Sequence, residues 1–192
     1  VTGTNGKTSV ASFTRQLWEG LGYRAASLGT LGLEPPRENA PKALTTPDPI
    51  ELARALAELA ADGFSHLAME ASSHGLAQNR LDGVRLQAAA FTNLSRDHLD
   101  YHGSMEAYLA AKHRLFETLL SPDGTAVLNA DAPEFEALSS LCRARGQRVI
   151  GYGRGGRELK LLELVPEDAQ LQLALEIFGR TLRLALPVAG TF

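Results

Sequence analysis

Residues Thr2-Gly-Thr-Asn-Gly-Lys-Thr-Ser9 have the types and spacing of a phosphate cradle. Glycines let backbone N–H groups converge on phosphate oxygens, Lys7 offers a point charge to the outer phosphates, and the Thr8 hydroxyl is placed to meet a magnesium ion. A nucleoside triphosphate is the first ligand to consider. The general pattern G-x-x-x-x-G-K-[ST] calls for glycine five residues before Gly6, where this chain has Val1, so Gly-Thr-Asn-Gly-Lys-Thr is a tighter form of the loop. Val10, Phe13, Thr14, Leu17 and Leu21 follow at helical spacing, so the loop opens a helix whose N-terminal dipole favours phosphate. Such a loop needs a strand in front of it, and the sequence starts at Val1, which reads as an N-terminal truncation.

Three further groups could work with that loop. Glu70 ends the apolar run His66-Leu-Ala-Met69, at the carboxyl edge of a strand, where open α/β sheets place their ligand crevice. A carboxylate there can hold magnesium opposite the phosphates, or can serve as a capping or salt-bridged group. The stretch Ala71-Ser-Ser-His-Gly-Leu-Ala-Gln-Asn-Arg80 is dense in hydrogen-bonding side chains, as substrate loops on a rigid sheet are. Phe91-Thr-Asn-Leu-Ser-Arg-Asp-His-Leu-Asp-Tyr-His-Gly103 packs two His, two Asp and an Arg into another strand-end loop, with His98 as a metal ligand or an orienting group.

Lys112 stands apart. It lies four residues after Tyr108 and four before Phe116, on the apolar stripe of a helix. An inward ammonium is costly unless paired. It either snorkels to the rim, neutralises phosphate, or loses its charge and is chemically modified.

The elements that position these groups follow from periodicity. Apolar runs at Ala25–Leu28, His66–Met69, Gln87–Phe91, Thr125–Leu128 and Arg148–Tyr152 alternate with helical patterns, which predicts a parallel α/β sheet flanked by helices. Asp48-Pro-Ile-Glu51 is a helix start, and further helices are expected over about Ser104 to Leu120 and Pro133 to Arg145. After Gly151 the alternation of Leu171, Leu173, Leu175 and Ile177, a Gly179-Arg180 turn, and Leu182, Leu184 and Leu186 predict an antiparallel hairpin region over 153–192, in a small sheet beside the core of 1–152. The segment Leu33–Leu44, with Pro35, Pro36 and Pro41, is the expected flexible connector.

Composition narrows the function. A formal charge of −3 with no basic run argues against nucleic acid or a membrane surface as partner. One cysteine, Cys142, rules out a disulfide framework and suits a reducing compartment such as the cytoplasm.

Taken in order, Gly3-Thr-Asn-Gly-Lys-Thr8, Thr45-Thr-Pro-Asp48, Met69-Glu-Ala-Ser-Ser-His-Gly75, Thr92-Asn-Leu-Ser-Arg-Asp-His-Leu-Asp-Tyr-His-Gly103 and Ala110-Ala-Lys112 closely resemble the Mur ligase family. The resemblance is strong over residues 1 to about 152 and weaker beyond. Within the family it is nearest to the branch that adds the third amino acid to UDP-MurNAc-L-Ala-D-Glu. It implies the central ATP-binding domain alone, with the N-terminal UDP-binding domain and the C-terminal domain missing, the chain stopping at Pro187-Val-Ala-Gly-Thr-Phe192.

The implied reaction uses ATP and Mg2+ to convert the substrate's terminal carboxylate to an acyl phosphate, which an incoming diamino acid, diaminopimelate or lysine, attacks. The resemblance carries Gly3, Thr4, Asn5, Gly6, Lys7, Thr8 and Ser9 over as phosphate-binding residues and Thr8, Glu70 and His98 as magnesium ligands. Thr45, Thr46, Ser72, Gln78 and Arg80 match the positions that hold the muramoyl peptide, although Leu44 stands where some relatives have a polar residue. Lys112 matches a lysine the family carbamylates, which accounts for its inward placement, and it joins Lys7 and His98 as the implied catalytic set. Two other readings are a folylpolyglutamate synthase-like ligase and a non-catalytic nucleotide-binding module.

Overall fold

The computed structural model describes residues 1–38, 41, 44–167 and 170–187. Helix α1 (Lys7–Gly20) leaves the phosphate loop, followed by strands β1 (Ala25–Gly29) and β2 (Gly32–Glu34), helix α2 (Pro49–Ala61), strand β3 (His66–Met69) and a short helix α3 (Ser73–Ala77). Strand β4 (Leu86–Phe91), helices α4 (Leu99–His102) and α5 (Met105–Arg114), a π-helical turn at Leu115–Leu119, strand β5 (Leu120–Asn129), helix α6 (Phe135–Ala144) and strand β6 (Arg148–Gly153) come next. Three more strands, β7 (Leu159–Glu167), β8 (Gln170–Ile177) and β9 (Arg180–Leu186), complete the described chain.

The strands form two sheets, β2-β1-β3 and β4-β5-β6-β7-β8-β9. Pairings β1·β3, β4·β5, β5·β6 and β6·β7 are parallel, which matches the alternation of strands and helices. Val1 and Thr2 bridge the two sheets. The Val1 nitrogen donates to the Met69 carbonyl and the Ala71 amide donates to the Val1 carbonyl, both at 2.8 Å. On the other side the Thr2 amide donates to Ala90 (2.8 Å) and the Thr92 amide to Thr2 (3.0 Å). The strand position in front of the phosphate loop, which sequence reading left empty, is therefore held by these two residues. They aim the loop at the carboxyl ends of β3 and β4, where Glu70 and Thr92 emerge.

The core lies between sheet and helices around Leu28, Leu52, Leu76, Phe91, Phe116, Leu128 and Leu138. Asp48 caps α2 as its sequence promises, accepting from the Ile50 and Glu51 amides. Helix α1 behaves differently. Ala11 is its one buried residue, while Phe13, Leu17 and Leu21 are 57%, 69% and 73% exposed.

Three expectations need correction. The C-terminal hairpin is not a separate sheet: β7, which sequence reading did not mark, pairs parallel with β6 and antiparallel with β8, so the antiparallel strands extend the main sheet. The helix expected to Leu120 ends as α-helix at Arg114 and widens into the π-helical turn. The buried Gln147 amide donates to the Phe116 and Leu120 carbonyls at 2.9 and 3.0 Å, stabilising that widened end, and β5 then begins at Leu120 rather than Thr125. In the connector expected over Leu33–Leu44, Leu33 and Glu34 belong to β2, and residues 39, 40, 42 and 43 lie outside the described set.

Candidate functional site

A cleft of about 500 Å3 opens at the carboxyl ends of the central strands, lined by the phosphate loop, Thr30, Thr45, Glu70, Ser72, Arg80, His98 and Lys112. Its first wall is the loop itself. Gly3 has φ 145°, and a Cβ there would overlap the Thr92 hydroxyl, so only glycine fits. Gly6 is left-handed at the N-cap of α1, which turns the following amides toward the cleft. The segment after β4 clasps the loop: the Asn5 amide donates to Asn93 Oδ1 (2.9 Å), the Thr92 hydroxyl to the Asn5 carbonyl (2.6 Å), and the Ser95 amide to Thr4 Oγ1 (2.9 Å). Asn129 at the end of β5 holds the Thr92 carbonyl at 2.7 Å. Backbone fixed this way presents its donors without reorganisation when an anion arrives.

Two lysines meet on one carbonyl. Lys7 Nζ donates to Gly3 (3.0 Å) and Thr4 (2.9 Å), and Lys112 Nζ donates to the same Gly3 oxygen at 2.9 Å. Lys112 is 1% exposed, with its amine over the Tyr108 ring at 4.2 Å. It does not snorkel. Burial, reinforced by the Lys7 charge, pushes its pKa down to about 7. Lys7 is also held below the usual lysine range by burial, with the Glu70 and Asp97 carboxylates opposing the shift.

Glu70 lines the same cleft and is 1% exposed. Its Oε1 accepts from the Thr30 amide at 2.8 Å and its Oε2 from the Thr30 hydroxyl at 3.3 Å. Beyond it, the fully buried Thr46 hydroxyl donates to the Glu70 carbonyl (3.0 Å) and accepts from the Ser72 amide (2.9 Å). Arg80 donates to the Thr46 carbonyl (2.7 Å) and, through its Nε, to Gln78 Oε1 (3.0 Å); Gln78 in turn donates to the Tyr101 hydroxyl (3.0 Å). Ser72 caps α3 by accepting from the Gly75 amide.

The sequence-predicted residues are therefore brought together, in differing roles. Thr45, Ser72 and Arg80 line the cleft, whereas Thr46 and Gln78 do not; Thr46 braces Glu70 and Gln78 holds Arg80. His98 sits left-handed at φ 51° before α4, half exposed, with Nε2 3.4 Å from Asp97 Oδ2 and its ring 4.9 Å from that of His74. Burial lowers the pKa of His74 and of His102 behind it. Sequence reasoning missed Thr30, Asn93 and Asn129. Asn93 sat inside a quoted motif, but for Thr30 and Asn129 the only signal was a polar residue at a strand's carboxyl end.

As to magnesium, among the described residues no three His, Cys, Asp or Glu side chains converge on one point. Magnesium is a hard cation that takes one or two protein oxygens and completes its shell with phosphate and water. Glu70 and Thr8 offer oxygens that suit it, and His98 lines the same cleft.

A fixed glycine loop opening a helix at the carboxyl edge of a parallel sheet defines a P-loop nucleotide-binding α/β domain. The profile of the Mur ligase middle domain matches residues 1–192, and the chain belongs to that family. It is 51% identical over 198 residues to the UDP-N-acetylmuramoyl-L-alanyl-D-glutamate--2,6-diaminopimelate ligase of Caulobacter vibrioides, covering all of this chain and 41% of that protein. The solved structure of a ligase of the same name superposes with a TM-score of 0.83 at 31% identity, over 97% of this chain and 38% of that one. The apo form of L. casei FPGS shares the fold at 15% identity and a TM-score of 0.67, over 99% of this chain and 52% of that one, a more distant likeness than the folylpolyglutamate reading would require. The chain spans about 40% of the length of the curated relatives it matches. Among the described residues no helix is long and apolar enough to cross a membrane.

Proposed function

We propose that the chain is the ATP-binding part of a ligase that joins diaminopimelate to UDP-MurNAc-L-Ala-D-Glu, the reaction for which its relatives are named. The observation that carries this reading is the convergence of Lys7 and Lys112 on the Gly3 carbonyl of the phosphate loop, in the cleft that Glu70 also lines. A module that only held nucleotide would have little use for a second, buried lysine there.

ATP, when bound, supplies the γ-phosphoryl group: a carboxylate oxygen of the muramoyl peptide bonds to phosphorus as the bond to the β-phosphate oxygen breaks, giving an acyl phosphate and ADP. The amine of the diamino acid then adds to the acyl carbon, phosphate leaves, and the nitrogen loses a proton. Such chemistry depends on positioning and charge neutralisation rather than a protein nucleophile. The amides of residues 3–9 cradle the phosphates and Lys7 offsets charge on the outer ones. Glu70 and Thr8 would hold magnesium, which would neutralise phosphate charge there, with His98 as a further ligand or orienting a water. Thr45, Ser72 and Arg80 receive the peptide, with Thr46 and Gln78 bracing them.

Lys112 fits a carbamate. Near its pKa of about 7 half the amine is neutral, and a neutral amine can add to the carbon of CO2, forming an N–C bond and releasing a proton. The resulting anion, beside Lys7 and Tyr108, would replace a buried cation with a paired negative charge able to order magnesium. The parts of the relatives outside this region would supply the UDP and amine contacts, so the isolated 192 residues should bind nucleotide weakly and not ligate.

Phosphate release by the full-length parent protein tests the reading, with ATP, magnesium, the muramoyl dipeptide, and diaminopimelate or lysine in separate reactions. Release that needs both the dipeptide and diaminopimelate supports it. Release independent of the dipeptide would refute it.

A further inference from the structure

We infer that Thr30 is a positioning residue that couples the metal-holding carboxylate of Glu70 to the peptide-binding hydroxyl of Thr45; the inference rests on the ligase reading above. Nothing in the sequence motifs marks Thr30. It follows β1, whose Leu28 is paired in register with Met69, so Thr30 and Glu70 leave adjacent strand ends together. The Glu70 amide donates to the Leu28 carbonyl at 2.9 Å, which fixes the main chain from which the carboxylate projects. Gly29 makes room for it, because a Cβ at that position would overlap the Glu70 carboxylate.

Thr30 grips both carboxylate oxygens, Oε1 through its amide at 2.8 Å and Oε2 through its hydroxyl at 3.3 Å. A carboxylate has about four lone-pair directions. One on each oxygen is engaged by Thr30, leaving one on each for a further partner. The orientation of a metal-binding carboxylate is set by just such outer partners.

The hydroxyl has a second partner, Thr45 Oγ1 at 3.1 Å. A carboxylate accepts only, so the single Thr30 hydroxyl proton points to Glu70, and Thr45 must donate to Thr30. The three groups form a directed chain, Thr45 to Thr30 to Glu70, from the peptide side of the cleft to the metal side. A change in the charge or position of Glu70 alters what Thr30 accepts, and through it how Thr45 is held. Binding of metal and of the muramoyl peptide are thereby linked.

The test uses the full-length parent protein with Thr30→Val, which keeps the shape and backbone N–H and removes the hydroxyl, and Thr30→Ser, which restores it. Mn2+ binding in the presence of ADP, read by electron paramagnetic resonance, should weaken about tenfold in Thr30→Val. The KM for UDP-MurNAc-L-Ala-D-Glu should rise several-fold in the same variant, while the KM for ATP and the thermal midpoint stay near wild type. Thr30→Ser should recover both losses. Wild-type Mn2+ affinity and dipeptide KM in Thr30→Val would overturn the inference, and so would equal defects in the Ser and Val variants. Should Thr30→Val not fold, Thr45→Val decides: by removing the donor to Thr30 it should raise the dipeptide KM and also weaken Mn2+ affinity, and an unchanged Mn2+ affinity overturns the coupling. Glu70→Gln separates the two levels. If it binds Mn2+ normally the metal site of the ligase reading fails, whereas a weakened Glu70→Gln beside a normal Thr30→Val removes the role of Thr30 alone.

Discussion

Helices α1 and α5 invert the usual rule of burial in opposite directions. Helix α1 carries the apolar stripe Phe13, Leu17 and Leu21 and leaves it exposed, while α5 buries a lysine beside Tyr108. In α1 the face opposite the stripe packs on β1 and β3, with the Trp18 ring 4.9 Å from that of His66, and its first turn grows out of the clasped phosphate loop. In α5 the anchoring is done along the side, where Tyr108 touches the Thr4 hydroxyl at 3.2 Å and Lys112 reaches Gly3. A charge held inside at a cost to stability, next to an apolar face left outside, indicates that position relative to the loop governs α5 more than stability does.

The largest effect that would sharpen this contrast is on turnover. Lys112→Ala in the full-length parent should reduce ligation by about 100-fold or more, as loss of a preorganised charged group does, and added bicarbonate should not rescue it. Steady-state phosphate release measures it, and normal turnover would break the comparison.

A smaller effect separates cost from function. Burial lowers Lys112 from 10.5 to about 7, so the folded domain holds fewer protons than the unfolded chain between those values. The cost of burying the amine is full below about pH 7 and fades as pH rises toward 10.5. Lys112→Met should therefore stabilise the unmodified domain most near pH 6.5, with the advantage shrinking by pH 9.5, in urea titrations at the two values. A pH-independent difference would place the amine in water.

The smallest effect belongs to α1. Leu17→Gln, on a side chain that is 69% exposed, should change the domain's stability by no more than about 0.5 kcal/mol, measured by the same titration. A loss of 2 kcal/mol would mean the stripe is covered.

Much of this architecture could be read from sequence, because its parallel strands leave short apolar runs and its helices carry caps such as Asp48. The phosphate loop, Glu70 and the inward face of Lys112 were legible for the same reason: each departs from a periodic pattern. What escaped was non-local. The π-helical turn depends on Gln147, about thirty residues downstream, and β7 is placed by partners on both sides rather than by its own alternation, which Pro166 and a register shift near Leu161 obscure. The family resemblance places Thr46 and Gln78 beside the substrate, but no local pattern tells that the Thr46 hydroxyl is engaged on both sides within the protein. The exposure of α1's stripe was equally hidden, since periodicity reports a face and not whether anything covers it.

The most direct measurement follows oxygen. Full-length parent protein would be given UDP-MurNAc-L-Ala-D-Glu labelled with 18O in its terminal carboxylate, together with ATP, magnesium and diaminopimelate, and the released phosphate analysed by mass spectrometry. An acyl phosphate predicts one 18O in phosphate for each amide bond formed, with ADP as the nucleotide product. Unlabelled phosphate, or label appearing in AMP, would contradict it.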